Sequence, residues 1–167
     1  MLGLIKENDV QLSLLDFGCG TAMLYDHILK TRPDWSFSYS GLDLSSKFVA
    51  QARKKHPSAD FYCLDVLENP ERLKAFDYIV MNGLFTEKLE LTFNDMLDFF
   101  KRILRTVFPK VNKGLAFNVM SKQVDWEKEF LFHLPLDTLA FFLTSELTRN
   151  FVIRNDYGLY EYTAYVY

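Results

Sequence analysis

The sequence predicts an α/β fold in which a mostly parallel, doubly wound sheet is covered by helices on both faces. Two observations support this prediction. Strand-like apolar runs alternate with helical segments through the first half of the chain, an order that is typical of parallel sheets. The last two strand-like runs are separated by only about four residues, and so short a link requires an antiparallel hairpin.

The length of the chain fits one domain. A chain of 167 residues can bury roughly 70% of its unfolded surface, which is enough for a self-sufficient core. The sequence has no internal repeat, low-complexity tract or Pro/Gly/Ser-rich linker. We therefore expect a single domain over residues 1–167.

The first half of the predicted sheet contains three strands and two helices. The strands are Leu12 to Phe17, Ser36 to Leu42 and Asp60 to Leu64. The helices are Thr21 to Lys30 and Ser45 to Lys55.

The second half begins with a fourth strand, Phe76 to Met81, whose nearly continuous apolar character is expected of a buried parallel strand. A long helix follows, because Thr92 and Asp95 resemble a capping box and apolar residues recur at helical spacing until Pro109. The next strand and helix are predicted over Gly114 to Met120 and over Leu136 to Leu147.

The closing hairpin is predicted to pair Phe151 to Arg154 with Leu159 to Tyr167. The final strand is apolar on both faces, with Glu161 as its only charged residue. This pattern indicates a strand in the interior of the sheet rather than at its edge.

The composition disfavours several classes of protein. The formal net charge of −3 argues against nucleic acid or an anionic membrane as the main partner, and no apolar run approaches the 18 or so residues of a membrane span. Cys19 and Cys63 form neither a disulfide framework nor a zinc pattern, and His27, His56 and His133 lack metal-ligand spacing. Because no signal-peptide start is present either, we expect a cytoplasmic protein without a metal.

A glycine turn is the most informative feature of the chain. The apolar run Leu14 to Phe17 leads into Gly18 and Gly20, where the absence of a β-carbon permits unusual backbone torsions and a close approach. The following helix directs its first N–H groups into the same space, which predicts a nucleotide-type ligand. A dinucleotide fingerprint would need glycine at Met23, so NAD is disfavoured. An ordinary strand-to-helix turn is the alternative that this motif alone leaves open.

The stretch from Asp16 to Ala22 resembles motif I of the class I S-adenosylmethionine-dependent methyltransferases, with Ala22 at the third glycine position of that motif. A second stretch, Tyr39-Ser40-Gly41-Leu42-Asp43-Leu44-Ser45, resembles motif II, in which an acidic residue binds the ribose hydroxyls. Asp43 matches that residue, and a carboxylate suits two vicinal hydroxyls. The alternative, Asp43 as the cap of the next helix, is weaker because Ser45 is better placed for capping.

The resemblance implies further contacts to the cofactor. Asp65 matches the position that meets the adenine amino group, Asn82 or its carbonyl matches the segment that lines the methionine moiety, and Asp16 would hold the methionine amino group or the glycine loop. Asp65 as a solvated loop residue and Asp16 as a purely loop-orienting carboxylate stay open as alternatives. For Cys19, a small turn residue is the preferred interpretation, and a reactive thiol at a helix N-terminus is the alternative. The complete implied cofactor-binding set is Asp16, Gly18, Cys19, Gly20, Asp43, Leu44, Asp65, Val66 and Asn82.

The resemblance covers about Leu12 to Tyr167 and implies a Rossmann-like seven-stranded sheet in the order 3-2-1-4-5-7-6, with five parallel strands and the C-terminal hairpin. It also implies transfer of a methyl group from S-adenosylmethionine to a small-molecule acceptor, with S-adenosylhomocysteine as the product. The implied contacts fall at the carboxyl ends of strands one to four, where open α/β sheets bind ligands.

Methyl transfer from a sulfonium is a direct displacement, so it needs positioning and dry surroundings rather than a covalent nucleophile. An oxygen or nitrogen acceptor can require a general base, and the nearest candidates by topology are His133, Asp125 and Glu127. For His133, a partly buried, hydrogen-bonded structural role is the alternative.

The N-terminus departs from the usual pattern of this family. Relatives of this type usually carry N-terminal helices that close over the cofactor, whereas only about eleven residues precede strand one here. We therefore expect a lid that is short or missing. A truncated form, a homodimer that borrows a lid, and a non-catalytic S-adenosylmethionine-binding or partner module are the alternatives that follow.

Overall fold

One mixed sheet organises the chain in the computed structural model, which describes residues 1–5 and 12–167. The strands are β1 (Leu12–Phe17), β2 (Phe37–Asp43), β3 (Asp60–Cys63), β4 (Phe76–Phe85), β5 (Val111–Ser121), β6 (His133–Leu134), β7 (Phe151–Arg154) and β8 (Glu161–Val166). The α-helices are α1 (Met23–Thr31), α2 (Ser46–Lys55), α3 (Phe93–Val107) and α4 (Leu136–Phe142). Short 3₁₀ turns cover Leu2–Leu4, Pro70–Arg72 and Phe108–Lys110.

The strand order is β3-β2-β1-β4-β5-β8-β7. Strands β1 to β5 pair in parallel, whereas β8 runs antiparallel to both β5 and β7. The predicted Rossmann-like order and the interior position of the last strand are therefore confirmed. One strand was not predicted: the two-residue β6 pairs with β5 off this path, so the described residues form eight strands rather than seven.

Each face of the sheet carries its own core. Leu15 and Ile79 belong to the core that α3 and α4 cover, whereas their neighbours Leu14 and Val80 belong to the core against α1 and α2. This alternation follows from the period of two in a strand. Phe100 of α3 is completely buried in the first core, and full burial of such a side chain stabilises the fold by about 1.5–3 kcal/mol.

The predicted helix caps are confirmed. The Ser45 hydroxyl accepts a hydrogen bond from the amide of Phe48 at the start of α2 (3.3 Å). The Thr92 hydroxyl accepts one from the amide of Asp95 at the start of α3 (3.1 Å). Such side chains satisfy backbone donors that the first helical turn leaves unpaired.

Several boundaries differ from the prediction. The first helix begins at Met23 rather than Thr21, because Ala22 has a left-handed backbone (φ 63°) and prolongs the turn. Strand β4 continues to Phe85 instead of ending at Met81. Helix α4 ends sooner than predicted and passes into a π-helical segment, Leu143–Leu147.

No helix in the part of the chain that the structure describes has both the length and the apolar character needed to cross a bilayer.

Candidate active site

The glycine turn wraps over the end of β2. The amides of Gly18 and Cys19 both donate to the carbonyl of Leu42, at 2.7 and 3.0 Å. Gly18 and Gly20 have positive φ angles of 78° and 52°, which L-residues with a side chain rarely adopt. A Cβ placed on Gly20 would meet no atom within 4 Å. The turn at Gly20 therefore borders open space.

Asp43, at the end of β2, is held by two backbone amides. Its Oδ2 accepts from the amide of Gly20 at 2.9 Å, and its Oδ1 accepts from the amide of Ser45 at 2.8 Å. Because each carboxylate oxygen has two lone pairs, both oxygens can still accept from a ligand. The capping of α2 is done by the Ser45 hydroxyl, which disfavours the alternative role that the sequence left open for Asp43.

A cleft of about 130 Å³ lies between the ends of β1, β2 and β3. Gly18, Asp43, Leu44, Asp65 and Val66 all line it. The cleft thus brings together five of the nine cofactor-binding residues implied by the sequence, and Gly20 is hydrogen-bonded to one of them. Its remaining walls are apolar and include Leu64, Leu84 and Phe99.

Asp65 has one carboxylate oxygen engaged within the chain. Its Oδ1 accepts from the amide of Leu67 at 2.9 Å. This contact orients the side chain at the wall of the cleft and favours a ligand-facing role over that of a fully solvated loop residue.

Asp16 is buried beneath the glycine turn, with 3% of its surface exposed. Its Oδ2 accepts from the Tyr39 hydroxyl at 2.7 Å. Burial raises the pKa of the Asp16 carboxyl to about 6; the Tyr39 hydrogen bond opposes this shift, and the charge of Asp43 adds to it. The hydrogen bond joins Asp16 to β2, and both roles of Asp16, toward the methionine amino group and toward the glycine loop, stay predictions.

Cys19 is also buried below the turn. Burial, followed by the charges of Asp16 and Asp43, raises the pKa of its thiol to about 12. A thiol with so high a pKa is not a nucleophile near neutral pH, so the geometry favours the small turn residue over the reactive thiol.

A bulge interrupts β4 beside the cleft. Met81 pairs with Phe117 and Phe85 pairs with Val119, so residues 82–84 of β4 face the single residue Asn118 of β5. Bulges of this kind re-aim side chains and are frequent next to active sites. Within this bulge Gly83 has φ 76°.

Asn118 connects the bulge to the last strand. Its Oδ1 accepts from the amide of Gly83 at 2.8 Å, and its Nδ2 donates to Glu161 Oε2 at 2.7 Å. Asn82 does not line the cleft of Asp43; it lies with Asn118 and Glu161 in a second cavity of about 340 Å³. Sequence reasoning missed Asn118 and Glu161, and the only available signal was the single charge in an otherwise apolar strand.

His133 is engaged at both ring nitrogens. The amide of Lys128 donates to Nε2 at 3.3 Å, so Nε2 is an acceptor. The ring proton is then on Nδ1, which donates to the carbonyl of Ser121 at 2.7 Å. The side chain is buried, with 5% exposed. These contacts match the structural alternative, and they leave no ring lone pair for a general base.

The two acidic candidates lie in the loop between β5 and β6. Asp125 accepts from the Tyr160 hydroxyl at 3.1 Å beside a third cavity of about 190 Å³. Glu127 forms an ion pair with Lys122, and the hydrogen bond in this pair lowers the pKa of the Glu127 carboxyl. The catalytic role of either residue stays a prediction. Among residues 1–5 and 12–167 no cluster of His, Cys, Asp or Glu is suited to hold a metal ion.

Comparisons with known proteins agree with this geometry. A family model described as a methyltransferase domain matches residues 15–109. No curated protein matches the sequence. Among solved structures, magnesium protoporphyrin IX methyltransferase from Synechocystis PCC 6803, crystallised with S-adenosylmethionine, is similar at a TM-score of 0.64 and 14% identity, over 96% of this chain and 72% of that one.

Two further structures show the same fold. The plantazolicin methyltransferase BpumL, in complex with S-adenosylhomocysteine, has a TM-score of 0.65 and 15% identity, over 96% of this chain and 77% of that one. The CurJ carbon methyltransferase has a TM-score of 0.68 and 15% identity, over 98% of this chain and 50% of that one.

The family match covers more than half of the chain and includes the glycine turn, Asp43 and Asp65. These residues meet at one cleft, in a sheet with the strand order expected for this fold. The chain belongs to the class I S-adenosylmethionine-dependent methyltransferase family.

Proposed function

We propose that the chain binds S-adenosylmethionine in the cleft beside Asp43 and transfers its methyl group to a small-molecule acceptor, leaving S-adenosylhomocysteine. The observation that carries the proposal is the Asp43 carboxylate, which the Gly20 and Ser45 amides orient at the wall of the cleft. A preorganised carboxylate of this kind suits the vicinal hydroxyls of a ribose.

The residues of the cleft fit an adenosine. Leu44, Val66 and Phe99 offer apolar walls to a flat base, and Asp65 can accept from an exocyclic amino group. The open space at Gly20 permits a ligand to approach the backbone more closely than a side chain there would allow.

The bound cofactor supplies an electrophilic methyl group on a sulfonium. The chain's own residues then position the reactants: Asp43 orients the adenosine, and the glycine turn shapes the cleft. Because the reaction is a direct displacement, such positioning is the main contribution required of the protein.

Two observations support a small-molecule acceptor. The formal net charge of −3 disfavours nucleic acid, and the similar solved structures include enzymes named for magnesium protoporphyrin IX and plantazolicin. A single domain over residues 1–167, a homodimer and a cytoplasmic location are parts of this proposal that rest on the sequence alone.

Calorimetry with S-adenosylmethionine and S-adenosylhomocysteine tests the proposal. We expect wild type to bind both and Asp43→Ala to lose affinity by about a hundredfold or more, because two charge-assisted hydrogen bonds are each worth about 1.5–3 kcal/mol. Asp77→Ala is the matched control, since the Asp77 carboxylate also accepts a backbone amide, from Ser13 at 2.8 Å, but at the start of β4. Absence of binding by wild type would refute the proposed function, and unchanged affinity in Asp43→Ala would refute the ribose assignment.

Catalysis is tested by S-adenosylhomocysteine formation from S-adenosylmethionine with a protein-free metabolite extract as the acceptor source. Formation above a heat-inactivated control supports the enzyme. Its absence, with binding intact, favours a non-catalytic S-adenosylmethionine-binding module.

A further inference from the structure

We propose that the second cavity, beside the β4 bulge, holds the methyl acceptor, and that Glu161 binds and deprotonates an O–H or N–H group of that acceptor. The inference deepens the proposed function and rests on it. It assigns a base on the last strand, outside the set of residues that the sequence suggested.

The cavity borders the same bulge as the cofactor cleft. Leu84 lines the cleft, whereas Asn82, two residues earlier in β4, lines the second cavity. Both spaces therefore border the bulge near the end of β4. The volume of about 340 Å³ lies within the range of small-molecule sites.

Glu161 is the acidic group of the cavity wall. Its Oε2 accepts from Asn118 Nδ2 at 2.7 Å, and Asn118 is in turn held by the amide of Gly83. This chain of hydrogen bonds positions the carboxylate relative to the bulge. The other oxygen, Oε1, can accept from a ligand, and since a carboxylate only accepts hydrogen bonds, the ligand must donate.

Two cationic groups lie in the same wall, the guanidinium of Arg154 and the N-terminal ammonium of Met1. The guanidinium of Arg154 donates to both carboxylate oxygens of Asp156, at 3.0 and 2.8 Å. A bidentate pair of this kind occupies the donors of Arg154 that face Asp156. Burial, followed by the charge of Arg154, lowers the pKa of the Met1 ammonium, and the charge of Glu161 opposes this shift. A protic ligand at Glu161 would therefore bind beside that ammonium.

Side chains of the closing hairpin shape the rest of the cavity. Tyr157, Leu159 and Tyr165 line it with aromatic and apolar surface. The Tyr157 hydroxyl is hydrogen-bonded to Thr163 Oγ1 at 2.9 Å, which holds that ring in place. The cavity thus suits a small molecule with an apolar or aromatic body and one hydrogen-bond donor.

The reaction step balances without a further reactant. The acceptor O–H or N–H transfers its proton to Glu161, and the lone pair on that oxygen or nitrogen forms a bond to the methyl carbon. The S–CH₃ bond breaks, its electron pair stays on sulfur, and neutral S-adenosylhomocysteine leaves. Glu161 returns its proton to water.

Binding of simple probes tests the assignment. We would add benzylamine, phenol and, as a control without a donor, toluene to ¹⁵N-labelled protein saturated with S-adenosylhomocysteine. Benzylamine or phenol should shift the Gly83 amide and the Asn118 side-chain amide resonances. Toluene should bind at least fivefold more weakly.

Glu161→Gln is the decisive variant, because its amide oxygen still accepts from Asn118 while the charge and the basicity are lost. We expect it to weaken probe binding at least fivefold, to leave the affinity for S-adenosylhomocysteine unchanged, and to slow product formation from the metabolite extract by about 10²–10⁴. The matched control is Glu71→Gln, at an exposed residue in the turn before β4, which should behave as wild type.

Three results would overturn the inference: probe binding that is equal in wild type and Glu161→Gln, shifts centred on the Trp126 indole of the third cavity, or competition between the probes and S-adenosylhomocysteine. The last result would assign the cavity to the methionine end of the cofactor. Failure of wild type to bind S-adenosylhomocysteine at all would instead refute the proposed function.

Discussion

The open space at Gly20 can be tested with one methyl group. Gly20→Ala places a Cβ where no protein atom lies within 4 Å, at a backbone φ of 52°. Gly158, in the turn before β8, has the same two properties, with φ 72° and no atom within 4 Å of an added Cβ. The two substitutions therefore impose the same strain at two different places.

The expected cost in stability follows from the backbone alone. A left-handed conformation costs an L-residue roughly 1–2 kcal/mol, and the loss of glycine's freedom in the unfolded chain returns about 0.4–1 kcal/mol. Each variant should thus lower the free energy of unfolding by about 1 kcal/mol, as measured by urea denaturation. The Gly20 amide that donates to Asp43 is retained in Gly20→Ala, so this hydrogen bond does not contribute to the difference.

The two variants should differ in ligand binding. If the space at Gly20 belongs to the cofactor, the added methyl lowers the affinity for S-adenosylhomocysteine at least tenfold, which corresponds to about 1.4 kcal/mol, while Gly158→Ala binds as wild type in calorimetry. Equal affinities of the two variants for S-adenosylhomocysteine would refute the assignment of the space at Gly20 to the cofactor. A stability loss far above that of Gly158→Ala would show that the space at Gly20 is not open.

Other consequences can be measured directly. Burial raises the pKa of the Asp16 carboxyl from 3.8 to about 6. Ionisation of this carboxyl therefore destabilises folded wild type as the pH rises from about 4 to about 6. Urea titrations should therefore show the free energy of unfolding of Asp16→Asn rising relative to wild type by about 2 kcal/mol between pH 4 and pH 6.5; a flat difference would contradict the burial argument. His133→Leu should cost about 2 kcal/mol or more in urea denaturation, because it leaves the Ser121 carbonyl and the Lys128 amide without their partner; an unchanged midpoint would show that these bonds do not matter. Thr92→Ala should lower the stability by about 1 kcal/mol through loss of the cap on α3, and Thr92→Ser should restore most of it by the same assay.

The main elements of the fold could be predicted because their signals are local. Strand β1 begins at Leu12 and ends at Phe17 as predicted, since a continuous apolar run ends at a glycine. The caps at Ser45 and Thr92 follow from short-range spacing. The interior position of β8 followed from apolar residues on both of its faces, because packed layers on both sides of the sheet are needed to bury them.

The bulge in β4 could not be predicted. Its existence depends on the pairing of Met81 and Phe85 with β5, and pairing between strands far apart in sequence leaves no local pattern. The same limit explains why the position of Asn82 beside Glu161 could not be predicted, while its contact with the methionine moiety stays a prediction.

The amino-acid sequence by itself determined the α/β class, the glycine turn and the position of Asp43 after β2, because each depends on neighbouring residues and on the periodicity of apolar side chains. Only the tertiary structure decided that Asp16 is buried under the turn, that His133 has no free ring nitrogen, and that Asn118 and Glu161 meet at the bulge. These features arise from contacts between segments separated by 12 to 43 residues, and such contacts are set by how the strands pack rather than by any local preference of the chain.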